Sequence, residues 1–434
     1  MIEATNQRAE RLRTMMAEEG LDAVVLTHPH DVRYATGYHS ILERWQQQEA
    51  MAAAIVFADP DKPLTLVIPE ANLGVVAVLN RDGPQCSAGA VRTFEMLNFC
   101  EVSRYVDPHR KAGRLAEDAG ELGALIRGEC ASDIVAAIAR GLADELGSDA
   151  RIGFDDLRIS RLIADDLPHR SIDVLDFMIR VRVIKTPGEL ERYRALGKIA
   201  DEVIAFAGDM LGEGVEWTDV QARICDFMVR NGVIPVDEGA MLFGGAYEDD
   251  EFVPDLFRTA GSRPLKRGDI VILETQGIYD GFWIDINRTA VIGEPGEEYR
   301  WQHDVLRDAF VKMVAELRPG MNTSDLPKIG LEHLRANGVP TPEKLLVVAH
   351  GIGLMPLEIP LPYPSAGLAG VKEGFVLEKD MLISLDSLYF GAKLGPCHME
   401  NVYAITDAAP EPMYATPLEL IVAKHPERAE AALT

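Results

Sequence analysis

The sequence predicts an α+β chain of two domains, and three observations carry that prediction. Its 434 residues are more than one ordinary hydrophobic core organises. The first half alternates helical and strand-like segments, the rhythm of an α/β domain. The second half runs from two long helical patterns into paired apolar strands, and those strands are interrupted by acids.

The elements follow in order. The opening residues, MIEATNQRAERLRTMMAEEG, read as a charged amphipathic helix around Ala9 to Gly20. They lack the basic start, apolar centre and small-residue cleavage site of a signal peptide. Strands are expected at Ala23 to Leu26, Ala52 to Phe57 and Leu64 to Ile68, and again at Ile152 to Phe154 after a helix over Ile134 to Leu146. His30, Arg33, Tyr34 and His39 read as a polar cluster around a loop, with Tyr38 and Trp45 nearby, and structural or surface roles account for each of them. RVRVIKTP, Arg180 to Pro187, is a strand-like run closed by a proline, and it bridges a domain of residues 1–183 to one of residues 184–434. A helix over Gly188 to Leu211 ends at Gly212 to Gly214, and a second spans Thr218 to Asn231 with Thr218 as its N-cap.

Composition narrows the function classes. Lys plus Arg number 43 against 69 Asp plus Glu, a formal charge of −26. Such a field repels phosphate backbones and anionic lipid, which excludes nucleic acid and membrane surfaces as partners. The acidity reads as a solubility device of the whole surface. No apolar run approaches the roughly 18 residues that cross a bilayer. Cys86, Cys100, Cys130, Cys225 and Cys397 are widely spaced without a CxxC pair, so neither a disulfide framework nor a thiolate zinc site is expected, and a reducing cytoplasm fits.

The chemistry concentrates in VILETQGIYDGFWIDINRTAVIG, Val271 to Gly293, where two apolar strands flank the turn dipeptide Asp280-Gly281. With those residues at the turn, Asp285 faces Gln276, and Glu274 lies two residues along on the same face. Glu274 and Asp285 are then diagonal neighbours with Cβ atoms roughly 7–8 Å apart. That gap accommodates one or two metal ions, or equally a pair of half-buried acids answering Arg288. His350 closes an apolar run in LLVVAHGIGL, Asp386 interrupts MLISLDSLYF, and Glu400 lies in CHMENVYAIT. Acids buried in apolar strands need cations or full pairing, so the set as a whole favours the metal.

The order of acid, eleven residues, acid, then HGIG, then two late-strand acids resembles the ligand pattern of methionine aminopeptidase, prolidase and aminopeptidase P, the creatinase and aminopeptidase P (pita-bread, M24) superfamily. The likeness extends through PLKRGD, Pro264 to Asp269, and INRT, Ile286 to Thr289. In the first half it extends through LDAVVLTHPHDVRYATGY, Leu21 to Tyr38. The resemblance implies a creatinase-type α/β domain followed by a pita-bread catalytic domain, and a homodimer. It implies one or two divalent transition metals (Mn, Fe, Co or Zn) held by Glu274, Asp285, His350, Asp386 and Glu400. Glu stands at 274 and Asp at 386 where the family has the reverse. Two substrate-contacting histidines of the family's peptidases correspond to Phe257 and Leu357. Glu358 follows the second of them and is a candidate for proton transfer or for orienting a ligand. His398 stands where the family often has a basic residue, and it is a further candidate at the pocket or behind it.

These departures favour hydrolysis of a small amide or related C–N compound over ordinary peptide cleavage. An Xaa-Pro dipeptidase or aminopeptidase is the nearest alternative. The HGIGLMPLEIPLPYP stretch, His350 to Pro364, also resembles a dimethylsulfoniopropionate lyase, although Pro356 occupies the place of that enzyme's acidic base. A catalytically silent binding protein of the same fold is a fourth reading, and retention of five ligand-capable side chains counts against it.

Overall fold

The computed structural model describes residues 2–39, 49–74, 76, 86–96, 124–236, 241–243, 263–358, 374–390 and 394–423. Phe257 and Trp45 lie outside these. Two compact units emerge, Met1–Val181 with Thr186–Gly188, and Arg182–Lys185 with Glu189–Thr434. Among the described residues no helix is long and apolar enough to cross a membrane.

The first unit is a six-stranded mixed sheet built from β1 (Ala23–Leu26), β2 (Ala53–Phe57), β3 (Thr65–Pro69), β4 (Ala90–Phe94), β5 (Arg151–Phe154) and β6 (Arg170–Asp173). The strands lie in the order β4-β3-β2-β1-β5-β6. Strands β1 to β4 are buried along their whole length, which is why β1 and β2 read as continuous apolar runs rather than alternating ones. The helix Ile134–Ala143 contributes Ile138 and Leu142 to their core.

Two expectations need correction here. The residues Arg180 to Val183 are not strand-like; they end a helix, Leu175–Val183. Val174, Phe177, Met178 and Val181 are all buried, a helical spacing that outweighs the β-branched character of the run. His30, Arg33 and Tyr34 lie on a short helix, Pro29–Thr36, rather than around a loop. Tyr34 and Tyr38 are core residues: the Arg8 guanidinium lies 5.1 Å from the Tyr34 ring centre, and Asn72 donates to the Tyr38 hydroxyl at 2.6 Å.

The second unit is a larger sheet in the order β11-β12-β13-β10-β9-β7, where β7 is Ile234–Pro235, β9 Ile270–Tyr279, β10 Phe282–Ile292, β11 Leu345–Gly351, β12 Leu382–Tyr389 and β13 Cys397–Ala404. Three short strands, β8 (Met241–Phe243), β14 (Glu411–Pro412) and β15 (Ile421–Ala423), flank β9, β13 and β10. On β11, β12 and β13 the odd-numbered residues Ala349, Ile383, Leu385, Cys397 and Met399 pack with Phe310 and Met313 of the helix Glu297–Ala315 and Leu334 of the helix Leu326–Ala336. Side chains alternate along a strand, so the even-numbered residues face the other way.

The helix Pro187–Met210 opens on a proline, whose missing N–H costs nothing in a first turn. The helix expected from Thr218 begins at Trp217, with Glu216 rather than Thr218 at the N-cap. The backbone of Glu216 pairs with Pro264 and Trp217 donates to the Arg263 carbonyl, which holds the chain extended up to that point. Gly197 lets the helix Pro187–Met210 lie against the backbone of the segment after β14: a Cβ there would stand 1.9 Å from the Met413 carbonyl oxygen. Gly197→Ala is therefore expected to destabilise the protein by about 1–3 kcal/mol or more through overpacking. The check is the denaturant midpoint of the variant against wild type, and an unchanged midpoint would contradict this close approach.

Candidate metal centre

The site begins at the β9–β10 turn. Asp280 and Gly281 both have positive φ, 47° and 84°, the backbone that a two-residue hairpin with right-handed strand twist requires. The turn sets the register: Phe282 faces Tyr279, Asp285 faces Gln276 and Asn287 faces Glu274, as the sequence predicts. The same face continues across the sheet, where Asn287 is opposite Glu400, Glu400 opposite Asp386, and His398 opposite Leu388. On the last strand pair Val348 faces Asp386, and His350 faces Ser384.

Asp285, His350, Asp386, His398 and Glu400 are all buried, and Glu274 is half-buried. Oxygens of Asp285 and Glu400 and a nitrogen of His350 lie within 4.8 Å of one another, as do ligand atoms of Asp386, His398 and Glu400. The Gln276 amide donates to both Glu274 and Asp285 at 3.3 Å. The Ser384 hydroxyl donates to Glu400 at 2.6 Å. His350 Nδ1 is 3.1 Å from the Gly351 carbonyl oxygen; a carbonyl only accepts, so Nδ1 carries the proton. Nε2 is thereby turned toward Asp386 at 3.3 Å and Glu400 at 3.9 Å.

Electrostatics show what this face lacks. Burial pushes Asp285 up to about 8, and the charges of Asp386 and Glu274 add to it against the pull of His350. Burial likewise raises Glu400 well above the usual carboxylate range, reinforced by Asp285 and Asp386. For Asp386 burial acts in the same sense, but hydrogen bonds from His350 and His398 outweigh it and hold the carboxyl low. His350 loses basicity to burial and regains more from Asp386, so its net shift is upward. Among the described residues neither Asp285 nor Glu400 pairs with a lysine or arginine. Arg288 does not answer these acids: its guanidinium donates to the backbone carbonyls of Asn287, Glu400, Thr416 and Pro417. The Nδ1 atom of His398 and the side-chain amide of Asn287 are buried without a hydrogen-bond partner among the described residues, and buried polar atoms of that kind are uncommon away from functional sites. A crowded set of oxygens with imidazole nitrogens among them, deficient in positive charge, fits a divalent metal.

The face opens on a cavity of about 350 Å³. Glu274, Asp285, His350, Asp386, His398 and Glu400 line one side of it, and Trp283, Leu346, Val348, Leu388, Pro356 and Leu357 supply apolar walls. Glu358 is not among the lining side chains. It is buried, paired with Lys185 Nζ at 2.6 Å and Arg182 Nε at 3.4 Å, and accepts from the Leu354 N–H at 3.1 Å. Gly353 makes room for it, since a Cβ there would stand 2.6 Å from the Glu358 carboxylate. Sequence reasoning missed Asn287 and Ser384. Each lies two residues from a recognised acid, Asp285 or Asp386, and that period of two is the signal that marks them.

The model of the creatinase/prolidase N-terminal domain matches residues 8–168. The chain is 26% identical over 246 residues to the Xaa-Pro dipeptidase of Pyrococcus furiosus, covering 57% of this chain and 67% of that one. It is 28% identical over 264 residues to the probable dipeptidase PepE of Mycobacterium bovis, covering 60% and 66%. In fold it is similar to the prolidase of Pyrococcus horikoshii OT3, with a TM-score of 0.65 and 19% identity over 96% of this chain and 99% of that one. The X-Pro aminopeptidase of Thermotoga maritima MSB8 gives 0.63 and 17% over 95% and 99%. The model of metallopeptidase family M24 matches residues 191–407, half of the chain and all of the strands that carry the acid and imidazole face, so the chain belongs to that family and is a metal-dependent hydrolase.

Proposed function

We propose that the protein hydrolyses the C–N bond of a small amide, with Glu274, Asp285, His350, Asp386 and Glu400 holding one or two divalent ions of Mn, Fe, Co or Zn. The observation that carries this reading is a buried acid and imidazole face opening on a small cavity whose other walls, Gln276 apart, are apolar. A divalent metal there supplies Lewis acidity for the carbonyl and lets water ionise near neutral pH.

The chain's own groups do the rest. Gln276 spaces Glu274 from Asp285, Ser384 steadies Glu400, and the Gly351 carbonyl fixes the His350 tautomer so that Nε2 faces the acids. Trp283, Leu346, Val348 and Leu388 exclude water from the flanks of the substrate, which strengthens every electrostatic contact inside. Glu358, engaged by Lys185 and Arg182, is best read as a positioning residue for the turn after His350 rather than as a proton carrier. Leu357, on the cavity wall, supports a substrate that needs no imidazole there. The names of the dipeptidase relatives favour a second reading, an Xaa-Pro dipeptide, and a dipeptide is of a size with this cavity.

Three outcomes are expected. On a panel of small amides and Xaa-Pro dipeptides assayed with added Mn or Co, the small amides are turned over faster; faster turnover of the dipeptides would establish the second reading instead. Glu274→Ala lowers turnover by at least about 100-fold with an unchanged far-ultraviolet circular dichroism spectrum, and wild-type turnover would remove Glu274 from the ligand set. Lys185→Met removes the closer cation from the buried Glu358 carboxylate and destabilises the protein by about 3–5 kcal/mol. Denaturant titration reads that loss, and a midpoint equal to wild type would contradict the buried ion pair.

A further inference from the structure

His398 sits differently from a residue that merely backs a ligand. It lies on β13 two residues before Glu400, on the same face, and it lines the cavity beside Asp386 rather than behind it. Its Nε2 is 3.0 Å from Asp386 Oδ1, while the other oxygen of that carboxylate is 3.3 Å from His350 Nε2. Asp386 therefore stands between two imidazoles. It is also one methylene shorter than Glu400, its partner in register, so its carboxylate reaches less far from the sheet than the imidazole of the neighbouring strand.

Apart from Glu274, the donor atoms of this face fall into two triads. Asp285, His350 and Glu400 form one, and Asp386, His398 and Glu400 form the other. Glu400 belongs to both, which is the arrangement by which one carboxylate serves two ions of a paired site about 3.5–4 Å apart. A histidine that only orients an acid is ordinarily steered by a second partner on its far nitrogen. The Nδ1 of His398 is buried with no such partner among the described residues, so the fold around it does not dedicate the ring to donating to Asp386.

Resting on the metal reading above, we propose that His398 is itself a metal ligand, completing with Asp386 and Glu400 a second ion position beside that of Asp285, His350 and Glu400. The centre then offers one imidazole to each ion. Imidazole donors favour zinc, iron and similar ions over manganese, which is better suited by carboxylates and water, so His398 biases the site toward the former.

The test uses full-length protein stripped with chelator and reloaded with cobalt(II) alone, read by X-ray absorption fine structure and by visible absorption. Imidazole rings bound to cobalt give a characteristic outer-shell scattering that an unbound ring does not. In His350→Ala that scattering is expected to persist, and in the double variant His350→Ala/His398→Gln to vanish. His398→Gln alone is expected to weaken the affinity for the more loosely held cobalt by about 100-fold, with a change in the cobalt absorption bands. Thermal unfolding of each metal-free variant checks that the fold is retained. If His350→Ala binds cobalt with no imidazole scattering, His398 is not a ligand, and the reading with His350 as the sole imidazole ligand stands. If the wild-type protein takes up no cobalt, both this inference and the metal reading fall.

Discussion

The constraint on which the rest of the second unit depends is the burial of like charges on one sheet face. Asp285, Asp386 and Glu400 are each at least nine-tenths buried, and lost hydration, reinforced by mutual repulsion, drives Asp285 and Glu400 upward. Carboxylates in such a place stay ionised when a cation or hydrogen-bond donors join them, and otherwise take up protons. The imidazoles of His350 and His398 supply part of that compensation at Asp386. Asp285 and Glu400 have no lysine or arginine of their own among the described residues, with His350 the basic group nearest both, and a divalent ion satisfies what remains.

The sheet delivers these groups with little freedom because parity does the sorting. Odd-numbered residues of β11 to β13 go to the hydrophobic core under the helices Glu297–Ala315 and Leu326–Ala336, while the even-numbered Val348, His350, Asp386, Leu388, His398 and Glu400 go to the cavity. A slip of one residue in any pairing would send acids into the core and aliphatics to the site. The Asp280-Gly281 turn and the antiparallel ladder it starts guard against that slip on β9 and β10. Arg288 guards it from the opposite face, tying the backbone of Glu400 to the segment at Thr416 and Pro417. Burial pulls the Arg288 guanidinium down to about 10, which is still far enough up for it to hold its charge there. The Lys185, Arg182 and Glu358 cluster does similar work at the turn after His350, where Gly353 admits the carboxylate.

Much of this was legible because it is local. A turn dipeptide between apolar strands specifies a register, and the register specifies which acids share a face; acids inside apolar runs announce burial. What escaped depended on distant chain. The helix at Arg180 to Val183 was masked by alternating valines and arginines, and only the buried spacing of Val174, Phe177, Met178 and Val181 reveals it. Thr218 looks like an N-cap until the backbone pairing of Glu216 with Pro264 moves the helix start. The buried pairing of Glu358 is invisible in sequence, because its partners Arg182 and Lys185 lie more than 170 residues away. Asn287 and Ser384 carry no motif, and their part is visible only from their parity with Asp285 and Asp386.

The central claim is that the acid face is a metal centre, and the most direct measurement is the metal content of the purified protein by mass spectrometry, after chelation and reloading, for wild type and for Glu400→Ala. The account predicts one or two equivalents of a transition metal retained by the wild-type protein and a marked loss in the variant, since Glu400 belongs to both donor triads. Failure of the wild-type protein to retain metal, or equal retention by both proteins, would contradict it.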